Sequence, residues 1–547
     1  MRQYTGMLRG IANLYSLTFP SVFIARWRAV RGSAWRLLGW FWHSNTFTKP
    51  ENVRLSAQDQ SLALLLSLGM LAQMAVGVGF LVEWVRYGTA GAWEFGAATL
   101  LSYPLLWVHI FAVLAAMFKV PYFVTHPKKA GRALLCTLLE SQVSELRHKH
   151  PIKVVAVVGS VGKTSTKAAI AELLGQTKRV RWQSGNYNDR VTVPLVFFGH
   201  SEPNLLNVVA WLKLLGANIA SLSHPYPYDV VVVELGTDGP GQMVDFAYLK
   251  PDVTVVTAIS PEHMEFFGTL DAVAKEELSV FEYSKRVLVN GDDIAGHYLA
   301  GRDFTEYSLV SKQAAYYGKT KSLNLDGQEV AITMPSGSIK ADVRYIGEPG
   351  AKIVLAAAAV ADILGVKPKA ISDGLPKLSP FAGRMQILAG IDDTILIDDT
   401  YNASPVAVKT ALDVLYKAKA PQKIALLGNM NELGDYSQEA HEEVGAYCDP
   451  KKLDVVVVLG VDAEKWLAPA AKKQGCTVKV CKSPYEAGEY IHSKLKRGAV
   501  VLCKGSQNGV FAEEAVKLLL ADPADEAKLV RQGKSWLAKK SKQFPRP

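Results

Sequence analysis

Cysteine is scarce in this chain, with five residues in 547, at positions 136, 448, 476, 481 and 503. None forms a CxxC pair or a Cys/His set at zinc-ligand spacing. That excludes a disulfide scaffold and a structural zinc module, and it points to a reducing compartment. Charge is thin as well, at 20% of residues against 49% hydrophobic. Low-complexity stretches and internal repeats are absent, so disordered and collagen-like classes do not fit. At this length several domains are expected rather than one. The net charge of +10 suits nucleic acid or an anionic membrane surface. Because the excess clusters beside two apolar runs and in residues 528–546, membrane is favoured and nucleic acid is not an expected partner.

Residues 61–82 have Gln73 as their one strongly polar member, and 22 residues of helix cover roughly 33 Å, enough to cross a hydrocarbon core of about 30 Å. Residues 95–118 are nearly as apolar but carry Pro104 and His109. Arginines and lysines crowd the outer flanks, Arg26, Arg28, Arg36 and Lys49 before the first run and Lys119, Lys128, Lys129 and Arg132 after the second. The short connection holds only Glu83, Arg86 and Glu94. Positive flanks stay inside, so a multi-pass hairpin of two spans in the cytoplasmic membrane is expected, with both termini and all later domains in the cytoplasm. The runs start too late and are too long for a cleavable signal. Ahead of them, Trp27, Trp35, Trp40 and Trp42 mix with arginines, a pattern of an interfacial helix on anionic lipid or of an arm packed on the hairpin.

From residue 150 the pattern changes. Apolar runs at 152–159, 229–236, 252–259, 286–291, 394–399, 423–428, 454–460 and 499–505 alternate with helical segments. Strands apolar throughout indicate parallel sheets covered on both faces. Residues 305–346 alternate in short polar pieces and read as an antiparallel insertion, and Pro and Gly at 379–384 mark a boundary. The expected fold class is α/β. Its parts are a basic Trp/Arg-rich arm over 1–56, a transmembrane helical hairpin over 57–130, a P-loop-type ATP-binding domain over 150–378, a Rossmann-like C-terminal domain over 379–522 and a basic tail over 523–547.

The segment from Gly159 to Ser165, GSVGKTS, lies where a strand passes into a helix. A glycine turn there lets backbone N–H groups and a helix N-terminus surround phosphates, with Gly159, Gly162 and Ser165 in the turn, Lys163 reaching the terminal phosphates and the Thr164 hydroxyl holding Mg2+. The spacing is short, since Val157 stands where the common pattern has glycine. An ordinary strand-to-helix turn is the competing reading. Glu234 and His263 follow later strand ends, where open α/β sheets bind ligands, and with Thr164 they form an oxygen-rich set with one imidazole, suited to Mg2+ or Mn2+.

Eight ordered segments carry a resemblance: GSVGKTSTKAAIAELL, GNYNDRVTVPL, VVVELGTDGPGQM, TAISPEHMEFFGTLDAVAKEEL, FAGRMQ, ILIDDTYNASPVAVKTALDVL, IALLGNMNELGDYSQEAHEEVG and VLCKGSQNGVF. Together they are similar to the Mur ligases over residues 152–517, above all to the D-alanyl-D-alanine-adding branch. The resemblance implies an ATP-dependent amide ligase of peptidoglycan-precursor synthesis, and with it a part in cell-wall biogenesis, cell shape and division. In that family a substrate carboxylate attacks the γ-phosphate, and an amine then displaces phosphate from the acyl phosphate. It implies ATP and two Mg2+ ions, with Lys163 on the phosphates and Thr164, Glu234 and His263 as metal positions. Arg384, Asp399, Tyr401 and Asn402 match nucleotide contacts from the C-terminal domain. Asn186, Asn188, Asn429, Glu432 and Lys504 match segments near the substrates, a muramoyl-peptide or lipid-linked acceptor and a dipeptide or amino-acid donor.

Three departures stand out against the family pattern. The hairpin takes the place of a small substrate-gripping domain, so a lipid-linked acceptor or wall-synthesis proteins as partners come into view. The adenine-contacting Asn run is replaced by GEPGAKI at 347–353. After His263, where relatives carry two lysines and related ligases a carbamylated one, Lys275 retains the first and Glu277 replaces the second, which makes Glu277 a built-in carboxylate or a helix surface charge. Two other functions compete with the leading one. One is a membrane-tethered ligase of another polymer such as poly-γ-glutamate, and the other is a nucleotide-binding scaffold that recruits wall enzymes.

Overall fold

The computed structural model describes residues 10–545 apart from 17, 31–32, 45–46, 51–52, 54, 126, 186, 206, 262 and 323, with the side chains at 58, 114–130 and 322 also outside the description. The chain divides into two compact units, residues 1–134 and 135–547.

The first unit is helical: α1 (Phe19–Ala29), α2 (Ala34–His43), α3 (Ala57–Tyr87) and α4 (Ala92–Thr125). A reciprocal capping box between Ser56 and Asp59 starts α3, and Asp59 also takes Arg28 at 2.6 Å. Small residues let α3 and α4 approach: a Cβ on Gly69 would lie 2.6 Å from the Trp107 ring, and one on Gly77 2.8 Å from Leu100. Gln73 does not face outward unpaired, because its amide donates to the Thr99 carbonyl at 3.0 Å. Residues Asp59–Tyr87 and Ala92–Val113 are long and apolar enough to cross a membrane, and only 17% and 28% of their most apolar windows is buried within the protein. The core helix of a soluble protein would be mostly buried. Of the arm's tryptophans, Trp27 and Trp40 pack beside the buried Phe19, Phe23 and Phe41, whereas Trp35 and Trp42 are exposed.

Helix α5 (Pro127–Lys149) leads into the second unit. Its first sheet contains β1 (Lys153–Val158), β2 (Val180–Arg181), β3 (Val230–Glu234), β4 (Val253–Val256), β5 (Val287–Asn290), β6 (Thr305–Ser308), β7 (Tyr316–Ser322), β8 (Gln328–Met334) and β9 (Gly337–Val343), in the order β2-β3-β1-β4-β5-β6-β7-β8-β9. Pairing is parallel from β2 through β7 and antiparallel from β7 to β9. The antiparallel pairing expected over residues 305–346 is present in β7 to β9, and β6 joins those strands to the parallel ones. They extend the central sheet, and they alternate in polarity because only one face of these strands packs on the core.

Along the first sheet run α6 (Lys163–Gly175), α7 (Thr192–Phe198), α8 (Val208–Ser221), α9 (Leu270–Glu277) and α10 (Gly347–Ile363). The second sheet has β10 (Gln386–Ala389), β11 (Ile395–Asp399), β12 (Lys423–Gly428), β13 (Val455–Leu459), β14 (Val478–Cys481) and β15 (Val500–Lys504), ordered β10-β11-β15-β12-β13-β14, with β10 alone antiparallel. Beyond it, the basic segment after 522 includes α11 (Lys534–Gln543), whose Lys540 is 2% exposed and bonds Glu513 at 2.8 Å and Glu514 at 2.7 Å.

Candidate active site

The carboxyl ends of β1, β3 and β4 meet at one turn. Strand β1 is buried on both faces and extends through Val158, with Val157 in register with Glu234 on β3 and Val255 on β4. The turn therefore begins two residues later than the common glycine spacing has it. Gly159 has φ +118° and Gly162, which caps α6, has φ +87°. A Cβ on Gly159 would lie 2.5 Å from the Thr257 hydroxyl and 2.8 Å from the Ala258 carbonyl, so glycine is required there. The Thr257 hydroxyl meets the carbonyls of Val161 at 2.6 Å and Val158 at 3.0 Å, and the Ser160 N–H donates to Ala258 at 2.9 Å. From the other side, the Gly159 N–H donates to Oε2 of Glu277 at 2.8 Å. Glu277 is thus no surface charge: it is 3% exposed at the end of α9, while Lys275 beside it is exposed. The neighbouring Glu276, also buried, accepts from the N–H groups of Gly241 and Met243 in the loop after β3. One helix end therefore fixes both loops.

Behind the turn, the Thr164 hydroxyl donates to Oε1 of Glu234 at 3.2 Å. Lys167, one turn along α6 and not singled out by the sequence reading, places Nζ 3.2 Å from Oε2 of Glu234 and 3.2 Å from the Gly185 carbonyl. Lys167 and Glu234 are 2% and 3% exposed. Oε2 of Glu234 still accepts no hydrogen bond of good geometry among the described residues. A buried carboxylate oxygen with spare capacity beside a threonine hydroxyl is a hard-oxygen donor set that fits Mg2+, which prefers few protein ligands plus waters and phosphates. Among the described residues no three His, Cys, Asp or Glu side chains converge. His263, expected to complete the metal set, has Nδ1 3.1 Å from Oε2 of Glu432. Asn188, beside Asn186, which lies outside the described residues, accepts through its backbone carbonyl from the Gly236 N–H at 2.8 Å.

The second sheet contributes a cationic cluster. The Arg384 guanidinium lies 4.3 Å from the centre of the Tyr401 ring, and its Nε is buried with no hydrogen-bond partner among the described residues. Asp399 accepts from the Met385 N–H at 3.2 Å and from Nζ of Lys504 at 2.5 Å. Lys504 also donates to the Asn402 carbonyl at 3.1 Å, so it stands with Asp399 and Asn402. Burial pulls the Lys504 ammonium below its ordinary value, and the Asp399 carboxylate opposes that. Next door, burial pushes the Asp398 carboxyl up to about 6 against the hydrogen bonds it accepts from Thr400. Arg531, which the sequence reading left in the tail, donates to the carbonyls of Tyr401 at 2.9 Å and Thr400 at 2.5 Å and pairs with Glu513 at 2.7 Å.

The two halves of the site face each other. Burial raises the Tyr401 hydroxyl, and the Glu234 carboxylate of the first sheet adds in the same direction. His263 and Glu432 both adopt left-handed backbone, φ +50° and +65°, where their side chains meet, and the imidazole holds the Glu432 carboxyl below its ordinary value. A Cβ on Gly434 would come 3.1 Å from the backbone of Glu265. Asn429 is committed locally, accepting from the Ala463 N–H at 2.8 Å. The altered segment at 347–353 opens α10, where Lys352 pairs with Asp293 at 2.8 Å and Glu348 at 2.7 Å.

Comparison with known proteins matches the Mur ligase middle domain to residues 157–361 and the Mur ligase glutamate ligase domain to residues 383–507. A UDP-N-acetylmuramoyl-tripeptide–D-alanyl-D-alanine ligase of Bacillus subtilis is 25% identical over 68% of this chain and 76% of its own length. The ligase of that name from Haemophilus influenzae is 29% identical over 58% of this chain, which spans 65% of that relative. The MurF ligase of Thermotoga maritima, solved in complex with ADP, shares the fold at a TM-score of 0.57 and 22% identity, over 72% of this chain and 83% of that one. Both matched domains stand in one order and together cover more than half of the 547 residues. They bracket the two faces of the site, and the chain belongs to the Mur ligase family.

Proposed function

We propose that the protein is an ATP-dependent amide ligase that adds D-alanyl-D-alanine to a muramoyl tripeptide in peptidoglycan-precursor synthesis, and that it works at the cytoplasmic membrane. The observation that carries this reading is the pairing of the two half-sites. A phosphate-cradling turn backed by Thr164 and Glu234 faces the Arg384–Tyr401 stack with its buried, unused donor. A nucleotide clamped between two domains has its phosphates against the first half and its nucleoside against the second.

In this reading the terminal carboxylate of the stem attacks the γ-phosphorus, ADP leaves, and an acyl phosphate forms. The amine of the dipeptide then attacks the acyl carbon, loses a proton, and inorganic phosphate departs. Lys163 and the first N–H groups of α6 offset the charge that builds on the transferring phosphoryl group. Thr164 and Glu234 would hold Mg2+, which supplies further neutralisation of the phosphates. Lys167 holds Glu234 in place, Glu277 fixes the turn through Gly159, and Lys504 orients Asp399. Asn188 and the His263–Glu432 pair lie toward the substrates, where the two halves meet. Helices α3 and α4 are the tether, with the basic flanks placing the catalytic body in the cytoplasm.

The test is phosphate release by the detergent-solubilised protein with ATP, Mg2+ and UDP-N-acetylmuramoyl-tripeptide, with and without D-alanyl-D-alanine. Release that depends on the dipeptide and is lost in Lys163→Ala is expected. Release with the acceptor but with no dipeptide dependence would assign another amine donor, and no release would leave the poly-γ-glutamate or scaffold reading standing.

A further inference from the structure

Helix α8 carries apolar side chains on two faces. Its inner face docks on the protein: Trp211 and Leu214 are buried against Cys136 and Leu139 of α5, and Asn218 donates to Gln142 at 2.7 Å. Its outer face is also apolar. Val208 and Leu212 are each 64% exposed, Val209 and Ile219 61%, and Leu205 just ahead of the helix is 50% exposed. At about 100° per residue the four helix positions, 208, 209, 212 and 219, form one stripe roughly 100° wide on the side away from Trp211. A surface helix of a soluble body carries charge there. This one has a single charged residue, Lys213, at the rim of the stripe.

We propose that the outer face of α8 is a membrane-contact surface that seats the catalytic body in the headgroup layer of an anionic bilayer. The inference rests on the tether reading of α3 and α4. Two features commit it to lipid. By chain length, α4 ends at Thr125 and Cys136 lies eleven residues on, a reach of roughly 17 Å as helix, so a body held by that tether meets the bilayer at high effective concentration. The stripe is also a row of Val, Leu and Ile with no acid in it. That offers a partner protein nothing to register against, whereas a lipid surface demands only apolar area and a lysine that can reach phosphate. Shallow seating of this kind fits a ligase whose acceptor or product passes to the membrane.

The test uses the full chain in vesicles of phosphatidylethanolamine and phosphatidylglycerol, with a polarity-sensitive fluorophore on single introduced cysteines; the five native ones are buried. Leu212→Cys and Ile219→Cys probe α8, Leu68→Cys probes the apolar hairpin, and Val310→Cys, on an exposed turn of the first sheet, is the aqueous reference. Spin-labelled lipid is expected to quench positions 212, 219 and 68 several-fold more than 310. Quenching at 68 but not at 212 and 219 would overturn the proposal and leave the tether in place. Quenching at none would overturn both. Shielding of 212 and 219 from aqueous iodide without lipid quenching would assign the face to a second copy or another protein, and so would also overturn it.

Discussion

Glu277 shows how much one side chain can decide. Its carboxylate takes the N–H of Gly159, the residue whose positive φ starts the phosphate turn. Deleting the acceptor strands a buried donor, which costs about 1–3 kcal/mol, and the cost falls on the turn that places Lys163. Glu277→Ala is therefore expected to lower kcat/KM by about 5- to 150-fold, the same energy read as a rate. Glu277→Gln keeps an oxygen for the N–H and is expected to lose less than about tenfold. Steady-state kinetics of both variants checks this, and a wild-type rate in Glu277→Ala would sink the role. Lys167 teaches the reverse lesson. Nothing in the sequence sets Lys167 apart, and only the burial of its neighbours on α6 shows it locked onto Glu234.

Among the elements, the segment after residue 522 has the plainest mechanical consequence. Arg531 and Lys540 close over Glu513 and Glu514, which are 0% and 2% exposed. Burial alone would raise the Glu513 carboxyl, and the two cations more than offset it, holding it below its ordinary value. Arg531 also holds the carbonyls of Thr400 and Tyr401, so the segment braces the loop that presents Tyr401 to Arg384. Arg531→Lys keeps the charge but cannot reach two carbonyls and a carboxylate with one fork. It is expected to raise KM for ATP about tenfold with a smaller change in kcat, while Lys540→Met is expected to destabilise the fold by about 3 kcal/mol by leaving buried carboxylates short of a partner. Nucleotide titration and thermal unfolding separate the two. Composition alone could not announce this brace, since a run of lysines looks alike whether solvated or buried. The eight apolar runs were legible as strands because parallel strands buried on both faces lack polar alternation. The two-residue β2 and the half-exposed β10 and β14 carry no such signal. Pairing partners were not legible either: the antiparallel character of β7 to β9 could be read, but not that β7 pairs with β6 and continues the first sheet.

At the scale of the whole molecule, a site split between two sheets shares a chain with two helices long and apolar enough to cross a membrane. The turn at 159–165 was legible because its chemistry constrains residue type and spacing, whereas Glu234 came forward only by its order along the chain and the DDTYN loop only by resemblance. The contacts that join the halves, His263 to Glu432 and Gly434 to Glu265, depend on folding across more than 150 residues of sequence. The proposed tether carries one requirement: ATP is cytoplasmic, so on that reading the catalytic body and both ends of the hairpin share that side, and the turn at 88–91 emerges on the other. Because all five native cysteines are buried, introduced ones report the side cleanly. In spheroplasts, Thr89→Cys is expected to react with a membrane-impermeant maleimide, and Val310→Cys only after lysis. Protection of both before lysis would mean that α3 and α4 do not span. Reaction of Val310→Cys in intact spheroplasts would put the nucleotide site where no ATP reaches it and would overturn the topology together with the proposed ligase.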